Sequence, residues 1–176
     1  MKHIVNIAFL SVLLATAGCV MSQKSAGEKV DDSWIHTKVK TALVGEGSSN
    51  INVEVYQGTV QLAGFVDSEQ VRDSAGSKAA AVKGVRDVRN QLVVQTSARS
   101  PGRGLDDGVI AGRVKSALAS HAETNAIDVN VEVRHGVVLL SGFVNSREQR
   151  DAAARIASTA QGVIKVINGI DTIQTG

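Results

Sequence analysis

The sequence predicts an α+β fold made of two tandem copies of one small unit. Residues 51–75 align with residues 129–153 without a gap, and 14 of the 25 positions are identical. The match extends on both sides, where two further pairs of segments correspond: 31–43 with 106–118, and 83–92 with 161–170. In each copy, apolar residues recur first at helical spacing and then at alternate positions, which indicates a helix followed by strands.

The first unit begins with a helix and continues into a hairpin. Asp31 and Asp32 stand where helix-capping acceptors belong. They are followed by an apolar stripe with helical spacing, which consists of Ile35, Val39, Ala42 and Leu43. Apolar and polar residues then alternate over 51–56, which indicates a strand. Gln57 and Gly58 form a tight turn, after which Val60, Leu62 and Phe65 predict a second strand.

A second helix and a third strand complete each unit. Asp67 and Gln70 resemble a capping box, and they predict a helix that runs to about residue 82. Gly84 then stands in the C-terminal cap position, and a strand follows that contains Val88, Leu92 and Val94. The second unit repeats this order, with Asn145 and Glu148 as the capping pair and Gly162 as the helix stop.

Two glycines recur in the hairpin, in QGTVQLAGFV at 57–66 and HGVVLLSGFV at 135–144. A phosphate-binding loop places clustered glycines between a strand and a helix N-terminus. Gly58 and Gly136 instead lie between two strands, where a turn needs positive φ. Gly64 and Gly142 lie late in the second strand, where a missing side chain permits close packing or a bulge. These glycines are therefore predicted to be structural.

The first 18 residues predict a secretory signal peptide. Lys2 and His3 give a positive start, residues 4–14 are apolar, and residues 15–18 form a small-residue tail. The apolar run is too short to span a membrane. Cys19, the only cysteine, follows at the expected cleavage point, where it has no partner for an intramolecular disulfide.

This N-terminus resembles a bacterial lipoprotein signal, in which the chain is cut before a Cys that carries acyl chains. Residues 17–19, AGC, fit that pattern, whereas Thr16 stands where Leu is most common. The resemblance predicts lipidation of Cys19. The alternative is ordinary cleavage after the A-x-A site at 15–17, which would release a soluble periplasmic protein with a free thiol.

The rest of the chain divides into two units and their connections. Residues 19–30 lack sustained periodicity and are interpreted as a tether. The units cover 31–96 and 106–174, and residues 97–105, SARSPGRGL, contain the only Pro and are interpreted as a linker. A unit of this size is only marginally stable alone, so packing of the two units against each other would stabilise both.

Two motifs in each unit resemble the BON domain. One is L-x-G-x-V in the second strand and the other is G-V-x-x-V-x-N at the third strand: Leu62, Gly64, Val66, Gly84, Val85, Val88 and Asn90 in the first unit, and Leu140, Gly142, Val144, Gly162, Val163, Val166 and Asn168 in the second. Two such units behind a lipoprotein signal are similar to the dual-BON-domain outer-membrane lipoproteins of Gram-negative bacteria and to their osmotically inducible periplasmic relatives.

The resemblance implies a mixed three-stranded sheet that is covered by two helices in each domain. It also implies a non-enzymatic envelope protein that binds anionic phospholipid membrane surfaces and supports outer-membrane integrity. An alternative within the same family is a protein-interaction or chaperone module that serves outer-membrane proteins and their assembly factors. Val20 after Cys19 implies sorting to the outer membrane, with the chain facing the periplasm.

The sequence gives no sign of catalysis, a metal site or a cofactor. The histidines after the signal, His36, His121 and His135, have no His counterpart in the other unit and no metal-ligand spacing. The charge is nearly balanced, with 19 Lys and Arg against 17 Asp and Glu, which argues against strong non-specific binding to nucleic acid. Aromatic residues are too few for a surface on which single-stranded nucleic acid could stack.

Trp34 and Lys38 form the one candidate binding site. They are four residues apart on the flank of the first apolar stripe, so they are neighbours outside the predicted core. An indole beside an ammonium group suits the headgroup region of a bilayer. A structural interpretation stays open, in which Trp34 only covers the edge of the core. The second unit has Val109 and Arg113 at the matching positions, so Arg113 is a weaker candidate for phospholipid binding.

Overall fold

The computed structural model describes residues 31–45, 50–95, 106–124 and 129–173. Both domains follow the predicted order of helix, strand, strand, helix and strand. Domain 1 contains α1 Asp32–Ala42, β1 Ile51–Tyr56, β2 Thr59–Val66, α2 Glu69–Ala80 and β3 Asp87–Val94. Domain 2 contains α3 Asp107–Ser120, β4 Asn130–Arg134, β5 Val137–Val144, α4 Arg147–Ser158 and β6 Lys165–Thr172.

Each domain has one three-stranded mixed sheet, as predicted. The spatial order is β1-β2-β3 in domain 1 and β4-β5-β6 in domain 2, so the second strand of each hairpin is central. The hairpin strands pair antiparallel, and the third strand pairs parallel to the central one. The parallel pairing follows from the crossover helix, because that helix returns the chain to the edge at which the central strand began.

The two helices of each domain cover one face of its sheet. In domain 1 the first helix and the central strand supply most of the core: Ile35, Val39, Leu43, Val60, Leu62 and Val66. Alternation along β2 sends Val60 and Leu62 to the helices and Gln61 and Ala63 to the opposite face. Domain 2 builds its own core in the same way. The predicted apolar stripe of the first helix is therefore the surface that packs on the sheet.

The capping residues of α2 and α4 lie one position after the predicted ones. Ser68 caps α2, and its hydroxyl accepts a hydrogen bond from the Val71 N–H, so the prediction that Asp67 caps this helix was wrong. In domain 2, Ser146 caps α4 in place of Asn145. Ser is as good a cap as Asp or Asn, and a sequence pattern alone does not fix which of two adjacent candidates adopts the extended backbone of a cap.

Glu148 has a different role from the predicted one. It lies in the first turn of α4, and its pKa is lowered because a backbone N–H and then the Ser146 hydroxyl donate hydrogen bonds to the carboxylate. The reciprocal capping contact is made by Gln149, whose side-chain oxygen accepts from the Asn145 N–H. Domain 2 therefore has a variant of the capping box, in which Ser146 caps the helix and Gln149 binds the N–H of the residue before the cap.

The two adjacent Asp residues at the start of the first helix of each domain make different contacts. Asp31 caps α1 through the Ser33 N–H, as predicted. Asp32 instead reaches the hairpin turn, where its carboxylate accepts from the N–H groups of Gln57 at 2.7 Å and Gly58 at 2.8 Å. Domain 2 repeats the contact, since Asp107 accepts from His135 and Gly136. The second Asp thus fastens the start of the helix to the turn.

The repeated glycines are structural, as predicted. Gly58 has φ +78° in the turn, next to Gln57, which also has positive φ. Gly64 has φ +141°, and a Cβ at this position would clash with the Asn50 carbonyl oxygen. Only glycine adopts such a conformation readily, so the G of the L-x-G-x-V motif permits the first strand to lie close to the central one.

The two sheets pack against each other through the faces that the helices leave uncovered. Ala63 and Phe65 of β2 and Leu139 of β5 are buried together there, with partly buried residues at the edge of the cluster: Val93, Val137 and Ile167. The molecule therefore has four layers, in the order helices, sheet, sheet, helices. This packing supplies the mutual contact between domains that the sequence left open.

Gln61 crosses this interface as a buried polar group. Its side chain is 1% exposed. Its Nε2 donates to the Gly169 carbonyl and to Asp171 Oδ2, both at 2.8 Å, and its Oε1 accepts from the Gly142 N–H at 2.6 Å. One side chain of domain 1 therefore makes three hydrogen bonds to domain 2.

Two aromatic contacts show that the domains are related by an approximate two-fold axis. The Tyr56 and Phe143 rings are 5.5 Å apart, and the Arg134 guanidinium carbon lies 5.5 Å from the Phe65 ring centre. Tyr56 corresponds to Arg134 in the repeat, and Phe65 corresponds to Phe143, so the two contacts are equivalent. Each joins the turn end of one hairpin to the far end of the other, and the two hairpin turns therefore lie at opposite ends of the interface.

We expect Gln61→Leu to lower the free energy of unfolding by about 1–3 kcal/mol, because the Gly142 N–H and the Gly169 carbonyl lose a buried partner. Leu is the residue at the matching position 139, so the change fits the strand. Denaturant unfolding followed by circular dichroism of residues 20–176 measures the effect. Gln70→Leu, on the exposed face of α2, is the control. Equal stability of the two variants would show that the Gln61 bonds contribute nothing net.

Candidate functional site

Trp34 lies on the outer side of α1, as predicted. Its side chain is 41% exposed, whereas the neighbouring Ile35 is fully buried. The Asp32 contact with the hairpin turn fixes the first turn of the helix, and the buried stripe fixes its rotation. Trp34 therefore projects from a rigid part of domain 1, in the helical turn that is fastened to the hairpin.

Lys38 lies against Trp34 one helical turn later. Its Nζ is 5.6 Å from the centre of the indole ring, within the range of a cation–π contact. Both side chains are exposed. The predicted neighbours are thus in contact outside the core, and they present an apolar ring and a positive charge side by side. Their role in phospholipid binding stays a prediction.

The matching surface of domain 2 differs in both residues. Val109 replaces the indole with a small apolar side chain that is 46% exposed. Arg113 turns toward the loop after α4, where its Nη1 donates to the Gln161 carbonyl at 3.2 Å. The structure therefore does not bring Arg113 together with an aromatic ring. Of the two candidate surfaces, only the one on domain 1 combines an aromatic side chain with a cation.

The loop between α2 and β3 carries two cations that the sequence did not single out. Lys83 occupies the position that corresponds to Gln161, the residue that Arg113 contacts in domain 2. Arg86 lies at the hairpin turn, because its N–H donates to the Gly58 carbonyl at 2.8 Å. Both side chains are exposed. The alignment of the two repeats could have revealed them, because it pairs Lys83 with Gln161 and Arg86 with Ile164 and so shows that only domain 1 has cations at these positions.

Two of the three candidate histidines, His121 and His135, have polar contacts through their rings. His121 Nδ1 lies 2.7 Å from the Ala117 carbonyl oxygen. His135 Nδ1 lies 3.3 Å from Gln95 Nε2, at the domain interface. Within the described ranges, no three His, Cys, Asp or Glu side chains are grouped so that they could hold a metal ion.

The predicted signal peptide, Cys19 and the tether lie outside the described residues. In the part of the chain that the structure describes, no helix has both the length and the apolar character that are needed to cross a bilayer. Lipidation of Cys19 therefore stays a prediction from the sequence.

Three relatives cover most of this chain. Osmotically-inducible protein Y of Escherichia coli is 36% identical over 155 residues, which are 86% of this chain and 77% of that protein. The 21 kDa hemolysin of Actinobacillus pleuropneumoniae is 33% identical, over 86% and 79% of the two chains. The outer membrane lipoprotein DolP of Haemophilus influenzae is 34% identical, over 82% and 76%.

The family comparison agrees with the repeat in the sequence and with the two similar domains of the structure. The BON domain model matches residues 31–96 and again residues 106–174. These two segments contain every helix and strand described above. The chain therefore belongs to the BON-domain family and carries two copies of the domain.

Proposed function

We propose that this chain is a non-enzymatic, lipid-anchored protein of the outer membrane that binds anionic phospholipid through domain 1 and helps to maintain outer-membrane integrity. The observation that carries the proposal is the exposed Trp34–Lys38 pair on α1. Two relatives, an outer membrane lipoprotein and an osmotically-inducible protein, support a place in the bacterial envelope.

The pair suits a membrane surface because its two groups are favoured at the same depth. An indole has an apolar body and a polar N–H, so it is favoured among the headgroups, where Lys also finds anionic phosphates. A single Lys near an anionic bilayer contributes only about 1 kcal/mol. Domain 1 alone is therefore expected to bind weakly.

The proposed anchor makes weak binding useful. If Cys19 carries acyl chains, only residues 20–30 separate the anchor from domain 1. Binding of the Trp34 surface then becomes an intramolecular step with a high effective concentration. The acyl chains hold the protein at the membrane, and the domain surface sets how it lies there.

A second candidate function is protein binding, for example as a chaperone for outer-membrane proteins. The same observation allows it, because a partly exposed Trp on a rigid helix is a frequent hot spot of protein interfaces. The two functions differ in what Trp34 contacts, so one substitution can separate them.

We expect Trp34→Ala to weaken the binding of unacylated protein to anionic vesicles about 5- to 30-fold, since the loss of interfacial burial of the indole is worth on the order of 1–2 kcal/mol. Vesicle flotation of residues 20–176 measures it. Val109→Ala, at the matching position of domain 2, is the control and should bind as the unchanged protein does.

Other outcomes of this experiment favour other interpretations. If Trp34→Ala unfolds domain 1 in a thermal melt, Trp34 serves the core and the proposed site is wrong. If vesicle binding persists while capture of an envelope protein is lost, protein binding is the function of this surface.

We expect the mature protein to begin at Cys19 and to carry acyl chains, each of which contributes about 0.8 kcal/mol per buried CH₂. Intact-mass measurement of protein from the membrane fraction tests this, with Cys19→Ser as the control that should leave that fraction. A mature chain that begins at Gly18 with an unmodified thiol would contradict lipidation.

A further inference from the structure

We infer that Arg86 is a second cationic contact of the Trp34 surface and gives it selectivity for anionic phospholipid. The inference rests on the proposed function, because it names a determinant of binding at the same site. The membrane-contact surface then consists of Trp34 and Lys38 of α1 with Arg86 of the α2–β3 loop.

Selectivity for anionic lipid needs a local cause in this protein. Residues 31–96 contain seven Lys and Arg against eight Asp and Glu, so domain 1 as a whole does not attract an anionic surface. Charges act over about 10 Å at 0.1 M salt. Attraction therefore depends on cations that lie together on the face that carries Trp34.

The geometry of the repeat places the loop beside the Trp34–Lys38 pair. In domain 2, Arg113 contacts the Gln161 carbonyl at 3.2 Å, which shows that this flank of the first helix faces the loop after the second helix. In domain 1, the same positions are occupied by Lys38 and Lys83. The loop of domain 1 thus runs along the flank from which Trp34 and Lys38 project.

Arg86 lies at the β3 end of this loop, where the hairpin turn holds it. Its N–H donates to the Gly58 carbonyl, and its side-chain carbons lie so close to Gly58 that a Cβ there would be 3.1 Å from Arg86 Cγ. The Gly58 N–H in turn donates to Asp32 in the first turn of α1, so the hairpin turn and Trp34 lie at the same end of that helix. Among the described residues, no hydrogen bond or ion pair occupies the Arg86 guanidinium, which is exposed and can bind a phosphate.

Domain 2 lacks each part of this arrangement. Ile164, which is 79% exposed, stands in place of Arg86, and Gln161 stands in place of Lys83. Val109 replaces the indole, and Arg113 is engaged by the loop carbonyl. Domain 1 therefore offers the indole with Lys38 and Arg86, where domain 2 offers Val109, the engaged Arg113 and Ile164, so we assign the lipid contact to domain 1.

The experiment measures flotation of unacylated residues 20–176 with vesicles of phosphatidylglycerol and phosphatidylcholine, and with vesicles of phosphatidylcholine alone. We expect Arg86→Gln to weaken binding to the anionic vesicles about fivefold, the change expected for the loss of one cation at an anionic surface. Binding should also depend less steeply on salt. Binding to neutral vesicles should not change.

Arg89→Gln is the matched control. Arg89 is exposed, lies three residues further along the same segment and already pairs with Asp87 at 2.9 Å, and its replacement removes the same charge. It should leave binding to anionic vesicles unchanged. Arg86→Lys should keep most of the binding, because the variant keeps the positive charge. This second variant also keeps the inference testable if Arg86→Gln unfolds.

The outcomes separate this inference from the proposed function. If Arg86→Gln binds as the unchanged protein does while Trp34→Ala binds weakly, Arg86 has no role but the lipid-binding function stands. An equal loss in the Arg86→Gln and Arg89→Gln variants would also overturn the inference, because only net charge would then matter. If the unchanged protein floats with neither kind of vesicle, the proposed function itself is wrong.

Discussion

The packing of the two sheets against each other is the constraint on which the rest of this structure depends. Each domain has helices on one side of its sheet only, so its other face would expose apolar side chains to water. Phe65 and Leu139 are buried because the domains cover these faces for each other. Gln61 adds three hydrogen bonds that hold in only one register, so the contact is specific as well as apolar.

This packing decides which surfaces remain for function. Each sheet has one face buried against its helices and the other buried in the domain interface. In the described parts of the chain, the surfaces that stay exposed are therefore the outer sides of the helices and the loops at the ends of the sheets. Because the hairpin turns lie at opposite ends of the interface, the Trp34 surface and its counterpart at Val109 face different directions. Under the proposed function, a chain anchored at Cys19 would place domain 1 against the membrane and leave the Val109 surface of domain 2 facing away.

The two copies keep their interior and differ on their surface. The Asp32 and Asp107 contacts with the hairpin turns are the same, and the motif residues Asn90 and Asn168 both donate to a carbonyl of the preceding helix, at 2.8 Å and 3.0 Å. Such contacts join elements within a domain, so a change in either copy would destabilise it. A change at an exposed position does not destabilise the domain in this way. It is at such positions that one copy has a cation, Arg86, where the other has an apolar residue, Ile164.

The sequence by itself determined the two domains, the order of their elements and the exposed Trp34–Lys38 pair, because repeats, periodicity and i, i+4 spacing are local properties of the chain. It did not determine which of two adjacent residues caps α2, since Asp67 and Ser68 are both suitable and the backbone selects Ser68. The tertiary structure alone decided that Gln61 binds domain 2 and that Arg86 lies at the hairpin turn. Both facts join residues far apart in sequence: the packing of the two sheets brings Gln61 to domain 2, and the parallel pairing of β2 with β3 brings Arg86 to the hairpin turn.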